Sequence, residues 1–455
     1  MTQVLAEALP IRNRGHLHRI LGVGFGVAVV IGGTVGSGIL RTPGAIAGHL
    51  RSSGLVMTVW IAGGIYAFFC TLAVTELGTM LPQAGGWYVY SRRAFGNYGG
   101  FIVGCTDWIV QATSMAYLAV AFGEFMAEFH PAWHGRTEGL AIGILILLAL
   151  LNSLGLRAGA RTQELTSLAK CLALIAFVAA CFVIAPNSAA TAPVEMIRAP
   201  EGGLILALLI SLQGVIITYD GWYSAIYFTE EDTNPSESLP RSSIAGIVAC
   251  IAIYLLVNLA LLHVLPMNRM AGASMPAVDA AQAIFGGRGR QVILVMSLVA
   301  ALSTINSLLL LSPRILFGMS CDGLLPRKVA SVNAGGTPAT ALWLSTITAI
   351  ALVVFAGTFE KLIAMASFLF VAVYLSGFCS LFVLRWREPD LPRPFKLWGY
   401  PWTNLVVVVA SAAFLVATVV GDLKDALFAL VLIAASYPVY RFVVVRFWLA
   451  GAESD

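Results

Sequence analysis

Residues 29–40 read VVIGGTVGSGIL, with glycines at 32, 33, 36 and 38 inside an otherwise apolar run. Each glycine in a helix interior costs roughly 0.8–1 kcal/mol relative to alanine, so the run predicts a helix that can unwind midway. Exposed amides opening its second half would suit a carboxylate. Close helix packing is the competing account, because Gly32, Gly33 and Gly36 fit small-xxx-small spacing. A second interruption lies at 210–232, ISLQGVIITYDGWYSAIYFTEED, where Asp220 precedes Gly221 and Trp222. A carboxylate at that depth needs a cavity or donors. Asp220 reads either as the N-cap of a half-helix beginning at Gly221, or as the partner of a substrate ammonium or a proton. Both readings require the span to be broken.

The surroundings of these two stretches are those of a membrane protein. The 455 residues are 59% hydrophobic and 11% charged, with net charge +4 and mean hydropathy +0.86. Soluble domains carry about 25% charged residues, and too few polar side chains are present here to cover a wet surface. The small charge excess also argues against nucleic acid as a partner. The apolar runs are long enough for helices rather than barrel strands. They fall at about 20–47, 54–80, 101–129, 138–156, 162–185, 202–229, 242–266, 290–318, 339–356, 359–386, 402–420 and 425–447. Twelve spans put both termini on one side. Of the 27 Lys and Arg, 17 fall on that side, 9 on the other, and Lys170 lies within a span. The positive-inside rule then makes both termini cytoplasmic. Segment 267–289, with its run MPAVDAAQAIFG, reads as a short external helix resting on the surface.

The seven cysteines and six histidines form no metal-ligand spacing, so neither a metal nor a cofactor is expected. No nucleophile–base constellation appears in the spans, and an enzyme is not expected. The first and sixth spans are interrupted at corresponding positions, which points to an inverted-repeat transporter with a site at the midplane. Lys170, in RTQELTSLAKCLALIAFV, sits nine residues beyond Arg161, roughly 13 Å along a helix. Snorkelling is the ordinary fate of a lone lysine, but that depth favours an internal partner. Glu76 reads as a structural ion-pair partner. Asp107 and Glu124 would border a vestibule or face neighbouring helices.

Several motifs carry a family resemblance: GSGI at 36–39, TELGTMLPQAGGWYVY at 75–90 and TYDGWYSAIYFTEEDTNPSESLPRS at 218–242, then SPRILFGMSCDGLLP at 312–326, GGTPA at 335–339 and LPRPFKLWGYP at 391–401. In this order the chain resembles the amino acid–polyamine–organocation superfamily, in particular bacterial relatives of the L-type amino acid transporters. The resemblance implies an all-α membrane protein of LeuT-type fold. Its ten-helix, five-plus-five inverted-repeat core would span 20–386, after a cytoplasmic tail at 1–19. Two further helices at 387–447 and a tail at 448–455 would complete it.

In such transporters, amides of the unwound first span hold the substrate carboxylate, which maps onto Gly36, Ser37 and Gly38 with Gly33 and Thr34 just before. Carbonyls near the breaks hold the ammonium and map onto Thr34, Ile217 and Asp220, while Trp222 shapes or gates the pocket. Lys170 matches a lysine of sodium-independent members that takes the place of a sodium ion, bridging the first span to a hydroxyl of the eighth. That hydroxyl maps onto Thr304, with Ser303 adjacent. Eukaryotic L-type members carry a cysteine after the third span that bonds a heavy chain. The corresponding loop here, HPAWHGRTEG at 130–139, has none, so no disulfide-linked partner is expected. The implied activity is sodium-independent exchange or proton symport of neutral L-amino acids across the plasma (inner) membrane by alternating access. The alternatives are cationic amino acids or amines countered by Asp220, or an amino acid sensor without flux.

Overall fold

The computed structural model describes residues 17–184, 203–356, 359–421, 436–438 and 440–442. Helices dominate, and among the described residues no strand forms beyond one isolated parallel bridge, Leu21 with Asp232. The helices are α1 (Val23–Thr34), α2 (Gly38–Leu50), α3 (Ser53–Met80), α4 (Trp87–Phe129), α5 (Thr137–Ser153), α6 (Leu156–Val183) and α7 (Leu204–Thr218). They continue as α8 (Pro235–Val264), α9 (Met267–Gly272), α10 (Pro276–Phe285), α11 (Gly289–Cys321), α12 (Ala339–Ala356), α13 (Phe359–Arg387) and α14 (Trp402–Gly421). Both predicted tails lie outside the described residues, as does most of the expected twelfth span, 425–447.

Six helical stretches are long and apolar enough to cross a membrane. The pair α1 and α2 meets the same test jointly, bent by 44° at its break. Helices α5, α7, α12 and α14 are apolar but shorter. Leucines and isoleucines such as Leu147, Leu165, Ile205 and Ile347 stay exposed on the outside of the bundle, as expected where lipid rather than water is the solvent.

Helix starts and bends follow local chemistry. Helix α8 opens with Pro235 in its first turn, where a missing N–H costs nothing. The Asp232 carboxylate there accepts the Asn234 amide at 2.8 Å and the Ser238 hydroxyl at 2.5 Å. Within α4, Gly96 takes φ 82°, so this long helix is two helices joined at a glycine kink.

The segment after α8 differs from expectation. It is helical, as α9 and α10, and α10 is set into the bundle on one face, with Ala277, Ala280 and Ala281 fully buried while Gln282 and Phe285 stay exposed. Alanine's small side chain lets this helix sink against the bundle, and a Cβ on Gly289 would overlap the Ala281 backbone.

Candidate functional site

The first break separates α1 from α2 at Val35–Ser37. The Val35 amide still closes the last turn of α1 onto the Ile31 carbonyl at 2.9 Å, and the Gly36 amide turns back to Thr34 at 2.9 Å. Helix α2 then starts afresh at Gly38. The first amides of any helix lack an intrahelical acceptor, so those at the head of α2 are available to an anion. Gly36 and Gly38 keep this approach open, since an added Cβ would meet nothing nearer than 3.4 Å. Gly32 and Gly33 are packed closely, although Gly33 also lies on the cavity wall described below. A Cβ on Gly32 would overlap Gln163, and one on Gly33 would lie 2.5 Å from the Ser224 hydroxyl. The packing account therefore holds at Gly32 and Gly33, while Gly36 and Gly38 leave room beside the amides.

The second break follows α7. Residues 219–223 form turns, and a 3-10 helix covers Ser224–Phe228. No half-helix begins at Gly221, so Asp220 does not act as its N-cap. Its carboxylate instead accepts a hydrogen bond from the Tyr374 hydroxyl of α13. Gly221 has φ +105°, and a Cβ there would overlap the backbone of Gly33 and Thr34. The two breaks touch through bare backbone.

Lys170 is buried, and its ammonium donates to the carbonyls of Gly32 at 2.8 Å and Val35 at 2.7 Å. It does not snorkel. The Thr304 hydroxyl of α11 donates to the same Gly32 carbonyl at 3.1 Å, so lysine and threonine meet on a shared acceptor. Ser303 lies one layer away, 3.2 Å from the Ser167 hydroxyl, which donates to the Ala28 carbonyl at 2.8 Å. Gln163 and Asn306 extend this polar seam, joined by a bond of 2.8 Å. Helices α1, α6 and α11 are thus tied together, through the Gly32 and Val35 carbonyls at the break and the Ala28 carbonyl within α1.

A cavity of about 740 Å³ lies over both breaks, walled by Gly33, Thr34, Gly36, Ser37, Gly38, Ile217, Asp220 and Thr304 among others. It extends between Arg41 of α2 and the end of α9 with the residues after it, Ala271–Ser274. Asp220 is the one carboxylate on its wall and Arg41 the one Lys or Arg among the described residues; the Arg41 guanidinium lies 5.0 Å from the centre of the Phe125 ring. Ser303 and Lys170 stand behind the wall. Trp222 also lies behind it, stacked on Phe378 at 6.1 Å and packed against Trp87 and Tyr374.

Two ion pairs with fully buried carboxylates lie elsewhere in the bundle. Arg314 grips Glu231 through two bonds of 3.0 and 2.9 Å. Glu76 receives Arg385 at 2.8 and 2.6 Å and the Leu397 amide at 2.7 Å. Glu76 thus has the ion-pair role read from its position. Asp107 faces the neighbouring 3-10 helix, accepting the Tyr227 hydroxyl at 2.7 Å, and also accepts Gln111 of its own helix at 2.9 Å. Glu124 is exposed.

Sequence reasoning missed Tyr254. Its hydroxyl lies 2.6 Å from the Thr34 carbonyl and 2.9 Å from the Thr218 carbonyl, the last residues of α1 and α7. The Gly36 amide also donates to the Thr34 oxygen, so that carbonyl lies between two donors. Tyr254 sits in an unbroken apolar run, and the hydroxyl itself was its only signal.

A family model described as amino acid permease matches residues 26–437, and the chain belongs to that family. It is 28% identical to the serine/threonine exchanger SteT of Bacillus subtilis, over 93% of this chain and 96% of that protein. It is 30% identical to Asc-type amino acid transporter 1 of Mus musculus, over 88% and 76%. Against the large neutral amino acids transporter small subunit 2 of Homo sapiens it is 28% identical, over 84% and 72%.

Proposed function

We propose that this protein carries neutral L-amino acids across the plasma membrane by alternating access, without sodium. The observation that carries the reading is the pair of touching breaks beneath one cavity, with opposite polarity on offer. Amides at the head of α2 present partial positive charge to a carboxylate, and the Asp220 carboxylate, on the wall of the same cavity, faces an ammonium. A zwitterion satisfies both at once. An amine without a carboxylate would leave the amides idle, which disfavours the cationic-amine alternative.

Sodium independence is supported by Lys170. Its ammonium lies on carbonyls of the unwound segment, supplying a fixed positive charge where a bound cation would otherwise be needed. The full reading has twelve spans, a ten-helix inverted-repeat core at 20–386, two added helices at 387–447, and both termini in the cytoplasm. It works without a disulfide-linked second chain, since the loop at 130–139 lacks a cysteine. The names of the relatives, an exchanger and two amino acid transporters, agree with this class. Exchange or proton symport would drive it.

Radiolabelled amino acid uptake into proteoliposomes tests the proposal. Uptake should be equal in sodium and choline buffers and should respond to internal amino acid or to a pH gradient. Substrate binding with no flux under any of these conditions would make the protein a sensor instead.

A further inference from the structure

One exposed stripe runs the length of α6 and its entry, at Leu154, Arg157, Arg161, Leu165, Leu168, Leu172 and Ile175. The spacing of three and four residues keeps Arg157 through Ile175 on one side of the helix. Two arginines therefore head a ridge of hydrophobic side chains that face away from the protein. Beside the arginines lies a crevice of about 570 Å³, which His18 and the backbone of Gly155 and Gly335 help to wall. Its floor is rigid. The Leu156 amide donates to the Gly335 carbonyl at 2.9 Å and the Asn333 side chain to the Ser153 carbonyl at 2.8 Å. Gly155 and Gly335 approach so closely that a Cβ on Gly335 would lie 2.6 Å from the Gly155 Cα.

No carboxylate lines this crevice. Among the described residues neither Arg157 nor Arg161 forms an ion pair, although seven such contacts join other residues. The same two arginines also wall an adjoining crevice beside the start of α1, where Glu164 is the one acid among the described lining residues. Two guanidinium groups with five donors each and no anion between them fit a phosphate, which arginine can bind bidentately.

We infer that this crevice binds the headgroup of an anionic phospholipid, with Arg157 and Arg161 on the phosphate and an acyl chain along Leu165, Leu168 and Leu172. The ridge argues for lipid over free phosphate. From Arg161 to Leu172 is about 16 Å at 1.5 Å per residue, close to the roughly 15 Å of hydrocarbon in one leaflet. A soluble phosphate would have no use for those leucines. Basic pockets between spanning helices are suited to such headgroups. The site is separate from the cavity over the breaks, and its presence does not depend on the proposed substrate.

Native mass spectrometry of the detergent-purified full chain tests this, with phosphatidylglycerol, phosphatidylcholine or inorganic phosphate as the added probe. The wild type should retain phosphatidylglycerol at lower probe concentration than phosphatidylcholine. The double variant Arg157→Gln/Arg161→Gln should lose that preference, and Arg157→Lys/Arg161→Lys should keep most of it. Both arginines are exposed, and a size-exclusion profile will verify that each variant is folded. Equal retention of the two lipids by the wild type, an unchanged preference in the glutamine variant, or binding of inorganic phosphate that displaces the lipid preference would each overturn the inference.

Discussion

Gly221 lies against Gly33 with no room for a single added carbon between them. The two broken helices of this transporter meet there, backbone on backbone, and the cavity over the breaks exists because they do. Gly221 also needs φ +105°, a conformation that only glycine adopts without strain. Gly221→Ala should therefore fail on two counts, with strain alone costing on the order of 1–3 kcal/mol. A melting curve in detergent checks this. A variant with the wild-type midpoint would mean that the helices can part here without cost.

Gly38 offers the opposite test, because a Cβ fits at the head of α2 without a clash. A Cβ would make ordinary contacts at 3.4 Å with Thr218 and 3.9 Å with Thr42. Gly38→Ala should bind substrate nearly as the wild type does. Gly38→Val adds two methyls over the amides and should weaken binding at least about tenfold, or roughly 1.4 kcal/mol, in a folded protein. Substrate-induced thermal shift reads the difference, and wild-type affinity in the valine variant would remove the carboxylate from this position.

Lys170→Ala takes the ammonium away from the Gly32 and Val35 carbonyls. Two buried acceptors then lose a donor, at about 1–3 kcal/mol each. Most of the transport rate should go with them, while the wild type transports equally in sodium and choline. Collapse of wild-type uptake on sodium withdrawal would show that the lysine does not replace a cation.

Tyr254→Phe deletes one oxygen that lies between the ends of α1 and α7. The fold should survive, since the ring stays packed against Trp60 and Tyr219. The loss of the tie should change the transport rate more than the melting temperature. An unaltered rate would assign Tyr254 to packing alone.

Asp220→Asn preserves an acceptor for the Tyr374 hydroxyl but cannot ionise. Uptake should fall, and its dependence on external pH should flatten relative to the wild type. Lowered uptake with the full pH profile intact would place the proton-sensitive group elsewhere.

The membrane class, the helical content and the two places where helices break were determined by the sequence itself. Hydropathy and glycine act locally, so a run such as 29–40 or a carboxylate at 220 declares itself without its neighbours. The depth of Lys170 was legible for the same reason, as one charge in a long apolar run. What the glycines separately do was not legible. Gly32 and Gly36 look alike in a string, yet one is pressed against Gln163 and the other lies on the cavity wall, and only the packing of the helices distinguishes them. Asp220 could be read as a cap because Gly221 follows it; Tyr374, more than 150 residues on in the chain, claims its carboxylate instead. Tyr254 and the sinking of α10 were likewise decided by tertiary structure. A hydroxyl or an alanine face acquires its role from what another helix brings within about 3 to 4 Å, and sequence spacing along one helix does not encode that partner.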